Sequence, residues 1–499
     1  MSKSKEFKDI YANIRLIYIA VYMILVASVA AIPVRRLTDG YLGPMYTLIA
    51  GFGVILICVD FFTRRIIFKP KYCTFLIFFI LAMIVSSAIN IKYGFISNIK
   101  TIVWTCIQLF LLVAVDTELS PKTLKKHFKI LTEIFCVIWL VFALISLGQF
   151  FVQYARIWKF DGIVGITREG FHDGRLFGVF TDPNYASLCS ICAIAFALIN
   201  IGKNGWSKFY HIFSIVIQTI YVVLSGSRTA ILCLAIVGLI TGGFSTWIKL
   251  EAVGKKALIK LISSILIGVF CFIIPLVGSD YIKEGAAYTA EAFIEITDIN
   301  VNDFEKNPDD KHSVTEKPGD ISFIRDDVEN NDDISNNRFS IWSDYLKVFA
   351  KTPIWGTSPR NTMNYVMDNF DSMFIIDKQY SVHNSYLGLL VATGLLGAFA
   401  VLPWMIATAI EIYSYLIRRR KKRDEYYSRI FILAMALTVL AIAAFPLMFM
   451  FFNNMIIDVL FWLIIGYAKG LVRLSDPERY QKQPIIYRIT EKIIPSFIK

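Results

Sequence analysis

Charge is scarce in this chain. Only 18% of its 499 residues are Asp, Glu, Lys or Arg, 56% are hydrophobic, and mean hydropathy is +0.57. Those values exclude an ordinary soluble domain. Cysteine is missing from every polar stretch: Cys58, Cys73, Cys106, Cys136, Cys189, Cys192, Cys233 and Cys271 all lie in apolar runs, which excludes a disulfide in the loops. Cys189 and Cys192 lack a second pair or a neighbouring histidine and read as small buried apolar residues, not as a zinc site. There is no Walker loop, dinucleotide fingerprint, zinc-protease motif or repeat of fixed period. ATP-driven transport and metalloproteolysis are thereby removed. The basic residues are scattered and form no single groove, so nucleic acid is excluded as a partner.

What the chain has in abundance is apolar runs near the ~20 residues that a bilayer crossing needs. They fall at about 15–34, 43–62, 72–90, 97–115, 130–153, 183–201, 209–224, 227–247, 257–278, 384–416, 429–450 and 455–470. The expectation is an all-α polytopic membrane protein of about twelve transmembrane helices, with membrane lipids as its surroundings. Lys and Arg cluster in alternate connections: Lys3/Lys5/Lys8, Arg64/Arg65/Lys69/Lys71, Lys122 to Lys129, Lys249 to Lys260 and Arg418 to Arg423. The positive-inside rule puts those loops and both termini in the cytoplasm. Arg35-Arg36 is the one basic pair that the rule leaves on the other side. Ala27 to Ala31 resembles a signal cleavage site, but losing the first helix would spoil the alternation, so it reads as retained.

Residues 1–278 thus hold helices 1–9, 279–382 form one large external loop between helices 9 and 10, 383–470 hold helices 10–12, and 471–499 are a cytoplasmic tail. The loop is acidic and poor in apolar residues over about 296–335, which predicts a mobile segment. The acidic run 326–333 lacks the glycine and spacing of an EF-hand loop and reads as a solvated linker. After it, about 337–350 carries aromatic and apolar residues at helical spacing, which predicts an amphipathic helix over the outer helix ends.

Three motifs stand where apolar helices begin on the outer side: Arg175 with Asp182-Pro183-Asn184, Ser225-Gly226-Ser227-Arg228, and His383-Asn384. Helix N-termini carry partial positive charge and spare N–H groups, so three of them beside arginines suit a diphosphate. A lone histidine at a helix start is more often a structural cap. Its convergence with Arg175, Arg228 and Arg338 on one face favours function. On a straight helix, His383 would stand above a stripe made by Gly394 and Gly397. Arg228 opposes its helix dipole, which an anionic ligand would offset; snorkelling to water is the alternative. Asp458, the lone acid inside the last span, reads as a structural partner of Arg228 or Lys100.

The ordered set Arg175-x-x-Gly178-x-Phe180-x-Asp182-Pro183-Asn184, Ser225 to Ala230, Arg338-x-x-x-Trp342, Pro353-x-x-Gly356 and His383-Asn384-x-Tyr386-Leu387 with Gly394 and Gly397 resembles the O-antigen ligase and O-antigen polymerase superfamily. That resemblance covers about 170–400 in motifs and the whole chain in helix count. It implies a GT-C-like membrane glycosyltransferase of the outer face of the bacterial plasma membrane. It implies an undecaprenyl-diphosphate-linked glycan as donor, a glycan or lipid-glycan as acceptor, no metal or nucleotide cofactor, and other polysaccharide export proteins as partners. It also implies His383 as the catalytic residue and Arg175, Arg228 and Arg338 as substrate-binding residues, and the motif residues Asn184 and Asn384 are read as substrate-binding beside them. The acidic insert is not part of the family pattern. Low Arg relative to Lys and abundant Ile and Phe suggest a cell without lipopolysaccharide, hence a capsule-type repeat-unit polymerase. A ligase is the alternative. A secondary transporter or flippase is the rival from another class, disfavoured because the polar groups sit at the outer edge and not at the midplane.

Overall fold

The computed structural model describes residues 2–69, 72–115, 119–160, 166–202, 204–249, 255–297, 321–323, 337–420 and 424–477. The acidic segment 296–335 and the tail 471–499 lie largely outside the described residues. In chain order the helices are α1 (Ser2–Val29), α2 (Ile32–Val59), α3 (Cys73–Ile89), α4 (Phe95–Ile107), α5 (Pro121–Phe151), α6 (Pro183–Asn200), α7 (Gly205–Leu224), α8 (Arg228–Lys249), α9 (Lys255–Thr297), α10 (Arg338–Lys351), α11 (Thr362–Asn369), α12 (Phe374–Lys378), α13 (Ser385–Arg418), α14 (Glu425–Ala443) and α15 (Ile456–Ser475).

Among the described residues nine helical stretches are long and apolar enough to cross a membrane, and Cys73–Ile89 and Arg228–Phe244 are shorter apolar helices. Together with the almost wholly buried α15 they account for every apolar run of the sequence. The protein is an all-α polytopic membrane protein. Its core is apolar and aromatic, with Trp139, Trp404, Trp462, Phe135 and Phe196 fully enclosed.

Local chemistry explains most of the ends. Ser120 caps α5 by accepting from Thr123 N at 3.1 Å, with Pro121 as its first residue. Below α4 the chain makes a π turn, Gln108–Val113, and Arg15 takes up the carbonyls this loosens, donating to Phe110 O at 3.2 Å and Leu111 O at 2.9 Å. Arg15 is itself paired with the fully buried Asp60, so a charge at membrane depth is compensated on both sides.

Four features depart from plain spans. First, α9 continues to Thr297, so the expected boundary at 278–279 falls inside a 43-residue helix. Its second half is charged and rich in Ala and Glu, which favours helix in water as well as in lipid. Second, residues 155–178 form a small antiparallel sheet, β1 (Ala155–Trp158), β2 (Thr167–His172) and β3 (Arg175–Gly178), in the order β1-β2-β3. Third, α14 stops at Ala443, and 444–455 is an irregular segment, buried at 447 and 449–452 but exposed at Phe445, with positive φ at Met450 and Phe452. Irregular backbone at this depth is tolerated only when protein groups satisfy it. Asp458 does so: its carboxylate accepts from Met450 N at 2.7 Å and Met455 N at 2.8 Å. Asp458 therefore holds backbone N–H groups, and among the described residues no ion pair joins it to Arg228 or Lys100.

Fourth, α13 is not straight. At Gly394, with φ 62 and ψ −162, the helix breaks, so His383 does not stand above one continuous small-residue stripe. The chain at 353–358 fills the break. Pro353 O and Ile354 O accept from Leu395 N and Leu396 N, while Thr357 N and Ser358 N donate to Val391 O and Ala392 O at 2.9 and 3.1 Å. A Cβ on Gly356 would sit 2.5 Å from the Ala392 carbonyl, and one on Gly394 would meet Ile354 O. Both glycines are thus needed for the same backbone crossing. α10, α11 and α12 stand over this crossing around a second apolar cluster of Ile341, Tyr345, Val348, Val366 and Ile375.

Candidate functional site

Three chain segments converge at one end of the helical bundle. Asp182 caps α6, its carboxylate accepting from Asn184 N at 2.7 Å and Tyr185 N at 3.2 Å, with Pro183 in the first helical position. Asn384 caps α13 in the same way, accepting from Tyr386 N at 3.0 Å and Leu387 N at 2.9 Å. The third segment is the α7–α8 turn. Gly226 has φ 63, and Ser225 Oγ accepts from Ser227 N at 3.2 Å.

Arg175 binds two of these segments together. It is buried at the start of β3, donates from Nε to Ser225 O at 2.9 Å and from Nη2 to Asn184 Oδ1 at 2.9 Å. Its aliphatic stem lies against Gly226, where a Cβ would be 3.0 Å from Arg175 Cγ. The arginine, the asparagine and the Ser-Gly-Ser turn therefore form one hydrogen-bonded knot. Ser187 Oγ adds a bond to Ser225 Oγ at 2.7 Å. Arg228, the next residue along, is exposed, and among the described residues no hydrogen bond or ion pair holds its guanidinium. Among the described residues Arg228 is thus available to a ligand, while Arg175 holds the turn.

His383 immediately precedes the α13 cap, with φ 44, and its ring lies 6.4 Å from that of Tyr380. Asn384 and Ser385 fix its position: Ser385 N donates to Ala444 O at 2.8 Å and Ser385 Oγ to Leu447 O at 2.9 Å. Tyr185, three residues past the α6 cap, donates to Met448 O at 3.1 Å and so joins α6 to the same connection. Burial pushes the His383 pKa below 6.5, and the Arg338 charge at the start of α10 pushes the same way. The Asp182 carboxylate opposes them. His383, Arg338 and Asp182 are therefore near enough to feel one another, and the imidazole is neutral at pH 7, able to accept a proton.

Asn184 and Asn384 are occupied by these structural bonds through their carbonyl oxygens. Tyr185 and Tyr380 belong to no motif of the sequence yet lie at the site. Tyr185 follows the Asp-Pro-Asn motif directly and Tyr380 precedes His383 by three residues, and that adjacency is the only signal they carry.

Residues 213–402 match the family model described as O-Antigen ligase. That stretch lies in the O-antigen ligase and polymerase superfamily. It includes Arg228, Arg338, His383 and Asn384, and begins beyond Arg175 and Asn184. No curated protein matches the chain. The matched stretch is less than half of the chain, and its similarity to O-antigen ligases, together with the membrane fold, supports a surface-polysaccharide enzyme of ligase or polymerase type.

Proposed function

We propose that the protein is a polysaccharide repeat-unit polymerase, transferring a glycan from an undecaprenyl-diphosphate donor to an acceptor hydroxyl at the outer face of the plasma membrane. The observation that carries this reading is His383 on the capped start of α13, within electrostatic reach of Arg338 and Asp182, where burial lowers its pKa. The acceptor oxygen attacks the anomeric carbon as the bond from that carbon to the diphosphate oxygen breaks. His383 takes the proton of the attacking hydroxyl, and the diphosphate leaves with the electron pair. Arg228, whose guanidinium has no partner among the described residues, and Arg338 neutralise the departing charge, with the N-terminus of α8 aiding them. Arg175 with Asn184 fixes the turn that aims Arg228, and Asn384 fixes His383.

The basic loops support cytoplasmic termini and an outward site, because Arg418 to Arg423 lies at the far end of α13 from His383. Deleting the gene and separating the lipid-linked glycans tests the assignment. Single lipid-linked repeats accumulate if the protein is a polymerase, and His383→Ala gives the same pattern at normal protein level. Long chains left on the lipid carrier would replace this reading with a ligase. Repeats trapped in the cytoplasm would replace it with a flippase.

A further inference from the structure

Next to the site is a cavity of about 270 Å³, the share of about nine waters in the liquid. Val26, Val29 and Leu42 of the α1–α2 hairpin form one wall, and Ile456 and Ile457 of α15 another. Asp182 and Tyr185 at the start of α6 form the wall nearest the site. Arg175, Arg228, Arg338 and His383 are not among its described lining residues. The hairpin that closes it is turned to the bilayer, with Leu37, Tyr41 and Leu48 at 82%, 71% and 64% exposure. A ligand reaches such a cavity from within the membrane.

Arg35 gives the cavity its chemistry. It lines the wall, its Nε is buried without a hydrogen-bond partner, and among the described residues it has no ion pair. Its guanidinium instead rests over the Phe160 ring at 5.0 Å. Its neighbour Arg36 is stacked over Trp158 at 3.6 Å, which fastens the hairpin to β1. A buried guanidinium N–H without an acceptor is costly, and a bidentate anion such as phosphate is the group that matches its fork. The basic pair that broke the charge alternation therefore gains a reason to be there.

We infer that this cavity binds the acceptor as a lipid-linked phosphate, separately from the donor. The phosphate sits on Arg35, the prenyl chain leaves along Val26, Val29 and Leu42 into the bilayer, and the sugar points past Asp182 towards His383. Asp182 suits that course: its carboxylate would repel a phosphate but accepts hydrogen bonds from sugar hydroxyls, and its charge reaches His383. The inference rests on the polymerase reading, which requires two lipid-linked molecules at once.

The test uses the full-length protein in phosphatidylethanolamine vesicles, a lipid-linked repeat as donor and a short-chain prenyl-diphosphate sugar bearing a diazirine as acceptor. Photolysis is expected to label residues 26–46 or 454–457. Arg35→Gln is expected to raise the acceptor KM about tenfold relative to the donor KM, with Arg35→Lys recovering part of the loss. Leu42→Trp, which narrows the cavity without changing charge, is expected to raise the acceptor KM as well. Equal effects on donor and acceptor KM, or an unchanged acceptor KM, overturn the inference. Displacement of the label by phosphatidylglycerol and not by unlabelled acceptor also overturns it, because the cavity is then a phospholipid seat. If the parent protein transfers no glycan yet the cavity is labelled, the polymerase reading fails and the prenyl-phosphate site stands. Transfer without labelling of the cavity sinks the inference alone.

Discussion

At the scale of single residues, the site depends on how two charges and burial set one imidazole. His383 must be neutral to accept a proton, and its pKa lies below 6.5 because of burial, with Arg338 reinforcing it and Asp182 opposing. Transfer should therefore be flat across neutral pH and fall only as the pH drops through that lowered pKa. Arg338→Gln removes one of the groups that depress it, so the acid limb of kcat/KM should move to higher pH, whatever happens to the absolute rate. A limb that stays in place would mean that another group titrates. Asp458 makes a second case. Asp458→Ala strands the buried Met450 N–H, at about 1–3 kcal/mol, and leaves the half-buried Met455 N–H without its acceptor. Its unfolding midpoint in detergent should drop well below that of Arg228→Ala, which removes an exposed side chain with no partner among the described residues. Equal losses would revive an Asp458–Arg228 pair.

Among the elements, the break in α13 matters most. Gly394 has a backbone conformation that only glycine adopts readily, and the 353–358 segment occupies the space a side chain would need. Gly394→Ala and Gly356→Ala should each cost several times the roughly 1 kcal/mol of an ordinary helix substitution and should reduce transfer by displacing the α10–α13 unit. Gly51→Ala in α2, where nothing lies within 4 Å of the added carbon, should be neutral or mildly stabilising. Thermal unfolding of the three variants makes the comparison, and equal midpoints would show that the crossing is dispensable. The spacing of Pro353, Gly356, His383 and Gly394 was visible in the sequence, but its purpose was not. Helical periodicity assumes an unbroken helix, and it assigned Gly394 and Gly397 to one packing stripe. The same assumption carries this span to 450, because Leu447, Met448, Phe449 and Met450 are as apolar as any span. Hydropathy reports burial, and a buried irregular segment capped by one carboxylate looks like helix. The caps themselves were legible: Asp182-Pro183 carries its mechanism in its residue types, and Asn384 stands as an N-cap directly before α13. Arg175 was legible as important but not as a tie, since its partners Ser225 and Asn184 lie fifty and nine positions away and only the fold brings them together.

For the whole molecule, sequence and structure meet on the all-α membrane fold, because apolar length is a one-dimensional property that the bilayer reads directly. The three-stranded sheet escaped, being too short to outweigh the helices around it. Orientation is where a global experiment says most. Ser372 is exposed in the connection that carries Arg338 and His383, whereas Ser428 is exposed at the start of α14, beside the basic run from Arg418 to Arg423. Between them runs α13, whose part beyond the Gly394 break, 395–418, spans about 36 Å, more than the ~30 Å hydrocarbon layer. The two serines therefore lie on opposite sides of the membrane whichever way the chain is inserted. The positive-inside rule assigns the arginine side to the cytoplasm, so Ser372→Cys should react with a membrane-impermeant maleimide in intact cells and Ser428→Cys only after permeabilisation. Both substitutions are conservative and exposed, and of the native cysteines only Cys58 is exposed, in apolar α2, so the parent chain serves as the blank. The reverse labelling would put His383 in the cytoplasm. The proposed transfer at the outer face would then be untenable, and a lipid-linked substrate would have to be met before it crosses the membrane.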